Sequence, residues 1–269
     1  MQTKLVLVVF LIMISLIFSC KEEENSEFSD SPIIESYLNP GNYFNLKISR
    51  QLPFSSNVSY SADDINNLTV QITINNNIHT LQPLGNGKYI DSSLTVSEND
   101  YYYLSFKFNS RNVAAYTYVP SKPASVTQSA SKIYIQKIDT DDMPSFGDQP
   151  DPVEITWSNP DNSYYLIVVE NIEATLNPIF DFGDDDPPSN FFRKQPSNAS
   201  SEEIRSMEFQ YFGTHRIIIY HVLPDYASLY DQNSTNSQNL TNPSTSITNG
   251  YGIFTGLNSD TLWLEVKEQ

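Results

Sequence analysis

The sequence predicts an all-β protein built as two β-sandwich domains, and three observations carry that expectation. Apolar residues recur at alternate positions in short runs. Clusters of turn-forming residues separate those runs at short spacings. The composition, finally, suits strands: of 269 residues, 17 are Tyr and 15 Phe but only 9 are Gly, as expected for aromatic-faced sheets joined by polar turns. Period-two alternation places one face of a strand inward and the other outward.

In the first half, Phe44, Leu46 and Ile48 alternate with Asn45, Lys47 and Ser49. Leu68, Val70, Ile72 and Ile74 alternate with Thr69, Gln71 and Thr73, and Tyr102, Leu104, Phe106 and Phe108 with Tyr103, Ser105 and Lys107. Turn signals lie between them at Asn39-Pro40-Gly41, Asn75-Asn76-Asn77, Gly85-Asn86-Gly87 and Glu98-Asn99-Asp100. This spacing is that of an immunoglobulin-type sandwich. Val119-Pro120-Ser121-Lys122-Pro123 marks its end, so the expected domains are 32–122 and 123–269.

The second half opens with Ile133, Ile135 and Ile138, followed by a loop from Asp139 to Pro152. Val153, Ile155 and Trp157 share a strand face, so Trp157 is expected in a core, and Pro160 follows closely. This arrangement resembles an early strand of fibronectin type III modules. Tyr164 to Val169 is apolar on both faces, as a covered central strand should be. Residues 171–207 read as a loop-rich insertion, in which Ser200-Ser201-Glu202-Glu203 predicts a capped short helix through Met207. Two strands are expected near Glu208–Phe212 and Arg216–Val222, then a helical turn from Pro224 carrying Tyr226, Leu229 and Tyr230. After a polar stretch, Gly250–Phe254 and Thr261–Val266 read as two closing strands.

The N-terminus carries an address. Lys4, an apolar run from Leu5 to Ile14, and Ile17-Phe18-Ser19-Cys20 have the layout of a signal peptide. The last four residues resemble the lipobox of bacterial lipoproteins, with Phe18 a bulky departure. The resemblance implies cleavage after residue 19 and lipidation of Cys20, the single cysteine. The apolar run is too short to span a bilayer, which takes about 20 residues, so the membrane attachment that the resemblance implies is an N-terminal lipid anchor. Lys21, Glu22 and Glu23, within an acidic tether over 20–31, are similar to the surface-export signal of Bacteroidota lipoproteins. That similarity implies an outer-membrane protein displayed at the cell surface.

The formal charge of −17 opposes binding to nucleic acid or anionic headgroups. With Cys20 lipidated, no thiol remains for disulfides, catalysis or metal binding. Catalytic motifs are absent: there is no Gly-x-Ser-x-Gly and no His-Glu-x-x-His. Asp181-Phe182-Gly183-Asp184-Asp185-Asp186 offers clustered carboxylates, but neither it nor Asp139, Asp141 and Asp142 has the EF-hand spacing. Both are read as solvated loops, so no cofactor or metal is expected. His79, His215 and His221 are read as surface or rim residues. Tyr101 and Tyr103 face opposite to Tyr102 on their strand, so they and Trp263 are the candidates for stacking on a ligand.

Pro32-Ile33-Ile34-Glu35-Ser36-Tyr37-Leu38-Asn39-Pro40-Gly41 with the following Leu46–Arg50 strand resembles the opening of a Bacteroidota lipoprotein family. That family is catalogued as "domain of unknown function 4249". Asn242-Pro243 and Ile247-Thr248-Asn249-Gly250-Tyr251-Gly252-Ile253-Phe254 resemble its ending. Members often neighbour genes for TonB-dependent receptors, so the resemblance implies a non-enzymatic binding module accessory to TonB-dependent nutrient uptake. The alternative is a carbohydrate-binding surface lipoprotein.

Overall fold

The computed structural model describes residues 30–51, 61–137, 150–180, 187–230 and 245–269. Cys20, Lys21, Glu22 and Glu23, the loop Asp181–Asp186, and Asp139, Asp141 and Asp142 lie outside the described residues. Every described strand and helix belongs to one compact unit, residues 31–51 with 57–269.

In chain order the strands of the first half are β1 (Pro32–Leu38), β2 (Tyr43–Arg50), β3 (Gln71–Ile74), β4 (Asn77–Thr80), β5 (Gln82–Gly85), β6 (Lys88–Thr95), β7 (Tyr101–Phe108) and β8 (Arg111–Tyr118), with helix α1 (Asp63–Asn66) before β3. The second half contributes β9 (Ala124–Gln128), β10 (Lys132–Ile135), β11 (Val153–Ser158), β12 (Tyr164–Asn171), β13 (Asn177–Pro178), β14 (Phe191–Arg193), β15 (Ser201–Ile204), β16 (Tyr211–Val222) and β17 (Tyr251–Glu268). Helix α2 (Pro224–Ala227) follows β16.

Turn chemistry places the first-half strands. Asn75 and Asn76 both take positive φ (48° and 65°) in the two-residue link from β3 to β4, the geometry a tight hairpin requires and Asn tolerates. β3, β4, β7 and β8 form a four-stranded sheet in the order β4-β3-β7-β8, and β15-β11-β9 form a three-stranded sheet. Both pack on one ten-stranded sheet, whose main path is β14-β12-β16-β17-β1-β2-β6-β5. Two cores result. One contains Ile34, Phe44 and Ile48 of the large sheet against Ile72, Leu104 and Val113. The other contains Ile167, Ile217 and Leu264 of the large sheet against Ile155, Trp157 and Ile204. The protein is thus all-β, and each half is a β-sandwich.

β17 joins the halves. Residues 251–256 run parallel to β1 (Ile33 opposite Tyr251), and 257–266 run antiparallel to β16 (Val222 opposite Leu257). Phe254 lies in the first core while Leu264 and Val266 lie in the second, so an unbroken period of two serves both. Two separate strands, Gly250–Phe254 and Thr261–Val266, were expected here; Gly256 and Asn258-Ser259-Asp260, residue types common in turns, lie between them. Asn258 instead donates its side-chain amide to Glu98 Oε2 (2.9 Å) and the Pro120 carbonyl (3.0 Å), which satisfies the buried polar group inside the sheet. Gly256 is required by close approach: a Cβ there would lie 2.0 Å from the Tyr118 carbonyl oxygen.

Two other expectations are corrected. The two strands foreseen over 208–222 are one, β16, running through Gly213 at φ 112°. The helix foreseen over 200–207 shrinks to a 3-10 turn at Ser206–Glu208. Ser201–Ile204 pairs antiparallel with β11 instead; the edge of β11 satisfies its backbone groups, which outweighs the local capping signal. The turn is held where Glu208 Oε2 accepts from the Arg205 N–H (2.9 Å) and from Lys194 Nζ (2.8 Å).

Candidate functional site

Strands β7 and β8 pair in strict register, Tyr101 opposite Tyr118 and Tyr103 opposite Tyr116. Alternation then separates their faces. Tyr102, Leu104, Phe106 and Phe108 are buried in the core. Tyr101, Tyr103, Tyr116 and Tyr118 are 57, 52, 52 and 37% exposed. The four rings form a ladder: Tyr101 stacks on Tyr116 at 5.8 Å (15° between planes), Tyr101 meets Tyr118 at 5.8 Å, and Tyr103 meets Tyr116 at 6.0 Å. Burial, then the neighbouring Tyr101 and Tyr116, raise the Tyr118 hydroxyl above its ordinary range. Thr73 of β3 pairs with Tyr103, and Gln71 with Ser105; both β3 side chains alternate with the buried Ile72 and Ile74 and so share the tyrosine face. The result is a flat aromatic surface bordered by hydroxyl and amide groups.

The expected stacking residues Tyr101 and Tyr103 thus stand together. Trp263 does not join them. It is 52% exposed but lies on β17, opposite Arg216 of β16, on the outer face of the ten-stranded sheet. Arg216 is ion-paired with Glu170. Tyr116 and Tyr118 were not singled out from the sequence, although the Tyr-x-Tyr alternation in Ala115-Tyr116-Thr117-Tyr118 is the same signal that identified Tyr101 and Tyr103.

The outer face of the ten-stranded sheet also carries a cleft of about 380 Å³. β12 supplies Leu166 and Val168, β16 supplies Tyr220 and Val222, and β17 supplies Leu257. Tyr37 and Asn39 at the end of β1, Asn42, Arg193 of β14 and Tyr226 of α2 complete its wall. Tyr226 meets Tyr37 edge-on at 6.1 Å and Tyr230 at 5.7 Å. Burial, then the hydrogen bond with Tyr230, push the Tyr226 hydroxyl well above its ordinary value.

The histidine expectation is overturned for two of three residues. His215 and His221 are buried, because odd-numbered residues of β16 face the second core. His215 Nδ1 lies 3.1 Å from the Gly213 carbonyl, and Nε2 lies 3.4 Å from the Asn171 amide nitrogen. This pattern assigns the neutral ring with Nδ1–H donating and Nε2 accepting. Burial lowers its pKa to about 4, against smaller opposing effects of the Gly213 carbonyl and Glu173. His221 stacks on Tyr165 at 4.8 Å, and its Nδ1 donates to the Ser121 carbonyl (2.9 Å); burial lowers its pKa as well. His79 stays near the surface, 3.4 Å from Asp91. Among the described residues, no group of three or more His, Asp or Glu side chains is placed to hold a metal ion. No described helix is long and apolar enough to cross a membrane.

No family model and no curated protein matches the chain. Among solved structures it is similar to domains A168–A170 of titin, at 8% identity and a TM-score of 0.21, covering 88% of this chain and 67% of that one. A Salmonella alpha-2-macroglobulin, the Y1175G mutant, is matched at 9% identity and a TM-score of 0.24. That match covers 89% of this chain but only 15% of the macroglobulin, so the chain spans a small part of that protein. Likenesses this distant carry nothing about function; the sheets and their two cores establish the β-sandwich fold by themselves.

Proposed function

We propose that the protein is a non-enzymatic binding module, anchored by lipid at Cys20, displayed on the outer-membrane surface and accessory to TonB-dependent nutrient uptake. The address rests on Lys4, the apolar run, the lipobox-like Ile17–Cys20 and the Lys21-Glu22-Glu23 signal, with the family resemblance supplying the receptor. The observation that carries the binding role is the tyrosine ladder. Four aromatic rings stand side by side on a sheet face, each at least a third exposed, and aromatic area is where binding surfaces concentrate their energy. Labelling intact cells with a membrane-impermeant reagent, followed by crosslinking, tests this reading. Labelled protein crosslinked to a TonB-dependent receptor supports it; protection from the label removes the surface assignment.

The second reading, a carbohydrate-binding lipoprotein, is favoured by one feature. Thr73, Gln71 and Ser105 border the ladder, so a sugar ring stacked on tyrosine meets hydrogen-bonding groups at its edge. A glycan array supports it if binding is lost on Tyr101→Ala with Tyr116→Ala but kept on Trp263→Ala. An array without hits excludes it.

A further inference from the structure

From the cleft on the outer face of the ten-stranded sheet, we infer a second binding site, independent of the tyrosine ladder, for a small amphipathic carboxylate: an apolar body ending in an acid group.

Its floor is aliphatic, formed by Leu166, Val168, Val222 and Leu257, and suits an apolar body rather than a polar ring. Its volume of about 380 Å³ falls within the range of small-ligand sites, roughly 300–1,000 Å³. The charge at its wall decides the headgroup. The protein has 32 acidic residues against 15 basic ones, yet no Asp or Glu lines this cleft, and Arg193 does. Among the described residues no carboxylate is paired with Arg193. Its guanidinium instead lies over the Tyr230 ring, 5.2 Å from the centroid, a cation–π contact that engages the ring face. A planar guanidinium matches a carboxylate through two parallel hydrogen bonds. The rest of the wall is itself held in place. Tyr226 is fixed between Tyr37 and Tyr230, and its hydroxyl lies 3.2 Å from that of Tyr230. Two nearby acids are already engaged: Glu170 pairs with Arg216, and Asp225 of α2 accepts from Thr255 Oγ1 (3.0 Å) and the Tyr226 N–H (2.9 Å), while Glu35, two residues before Tyr37 on β1, is not part of the lining. A ligand carboxylate would supply the partner that no described acid gives this cation.

The test is calorimetric titration of the full chain with 4-phenylbutyrate and with its uncharged analogue 4-phenylbutanol. The acid should bind with saturation, and more tightly than the alcohol. Arg193→Gln should weaken the acid about tenfold, as loss of a charge-assisted hydrogen bond does, and leave the alcohol unchanged. Val168→Phe, which fills the floor, should weaken both. A thermal melt of each variant confirms that it folds. Absence of saturation by the acid at millimolar concentration overturns the assignment, as does an equal loss of acid and alcohol in Arg193→Gln, or unchanged binding in Val168→Phe. Because neither variant touches the ladder, glycan or receptor binding should persist in both, which separates failure of this site from failure of the ladder reading.

Discussion

The two sandwiches are built from similar parts but close differently. The second core draws on one stretch, Ile133 to Val266. The first draws on residues up to Val119 and then borrows Ile247 and Phe254 from near the end of the chain. One half is complete within its own stretch of sequence, and the other waits for β17. A pair of sandwiches in sequence is therefore not a pair of independent folding units when a single strand contributes to both cores.

Substitutions along β17 challenge that asymmetry most directly. Gly256→Val puts a side chain where a Cβ alone would sit 2.0 Å from the Tyr118 carbonyl oxygen. Overpacking against backbone should cost about 3 kcal/mol or more. Urea unfolding followed by circular dichroism should show the midpoint falling for the whole molecule; a loss confined to the first half would mean that the sandwiches unfold separately. Phe254→Ala and Leu264→Ala remove one buried side chain from each core, at a cost of about 2–5 kcal/mol each. With Trp263 replaced by Phe, fluorescence of Trp157 reports the second core, so a shift in its transition on Phe254→Ala is the expected sign of coupling. A Trp157 transition that responds to Leu264→Ala alone would break it.

Acidification should act on the second half. His215 is neutral when folded, with a pKa lowered from 6.5 to about 4. The unfolded chain therefore binds the extra proton first, so the stabilisation is complete above about pH 6.5 and is lost as pH falls toward 4. The loss is about 3 kcal/mol at most, with His221 acting in the same direction. Thermal melts from pH 7 to 4 should show this fall, and His215→Gln should flatten it. The smallest effect on stability belongs to the first half's open face. Tyr116→Ala removes two exposed ring contacts, to Tyr101 and Tyr103, each worth under about 1 kcal/mol, so the melt should move little while any binding that uses the proposed tyrosine site drops.

What the sequence made legible follows the same division. Period two sorted Tyr101 and Tyr103 from Tyr102 and placed Trp157 in a core, because a strand's two faces are encoded by its neighbours alone. Turn residues misled at Gly256 to Asp260 and at Gly213, where tertiary partners satisfy groups that would otherwise break a strand. The histidines of β16 read as rim residues because polarity outweighed register; their burial depends on Asn171 and Ser121, which are distant in sequence. The cleft was illegible for a further reason. Leu166, Arg193, Tyr220, Tyr226, Leu257 and Tyr37 come from six different elements, and only the path of the sheet brings them to one place.

The parallel pairing of β1 with β17 has a mechanical consequence. The chain enters the large sheet at residue 32, and β17 leaves it at 268, at the far end of a strand running in the same direction. Tension between the two ends therefore pulls β1 along its length past its neighbours. Its hydrogen bonds to residues 251–256 and to β2 are loaded together rather than unzipped one at a time.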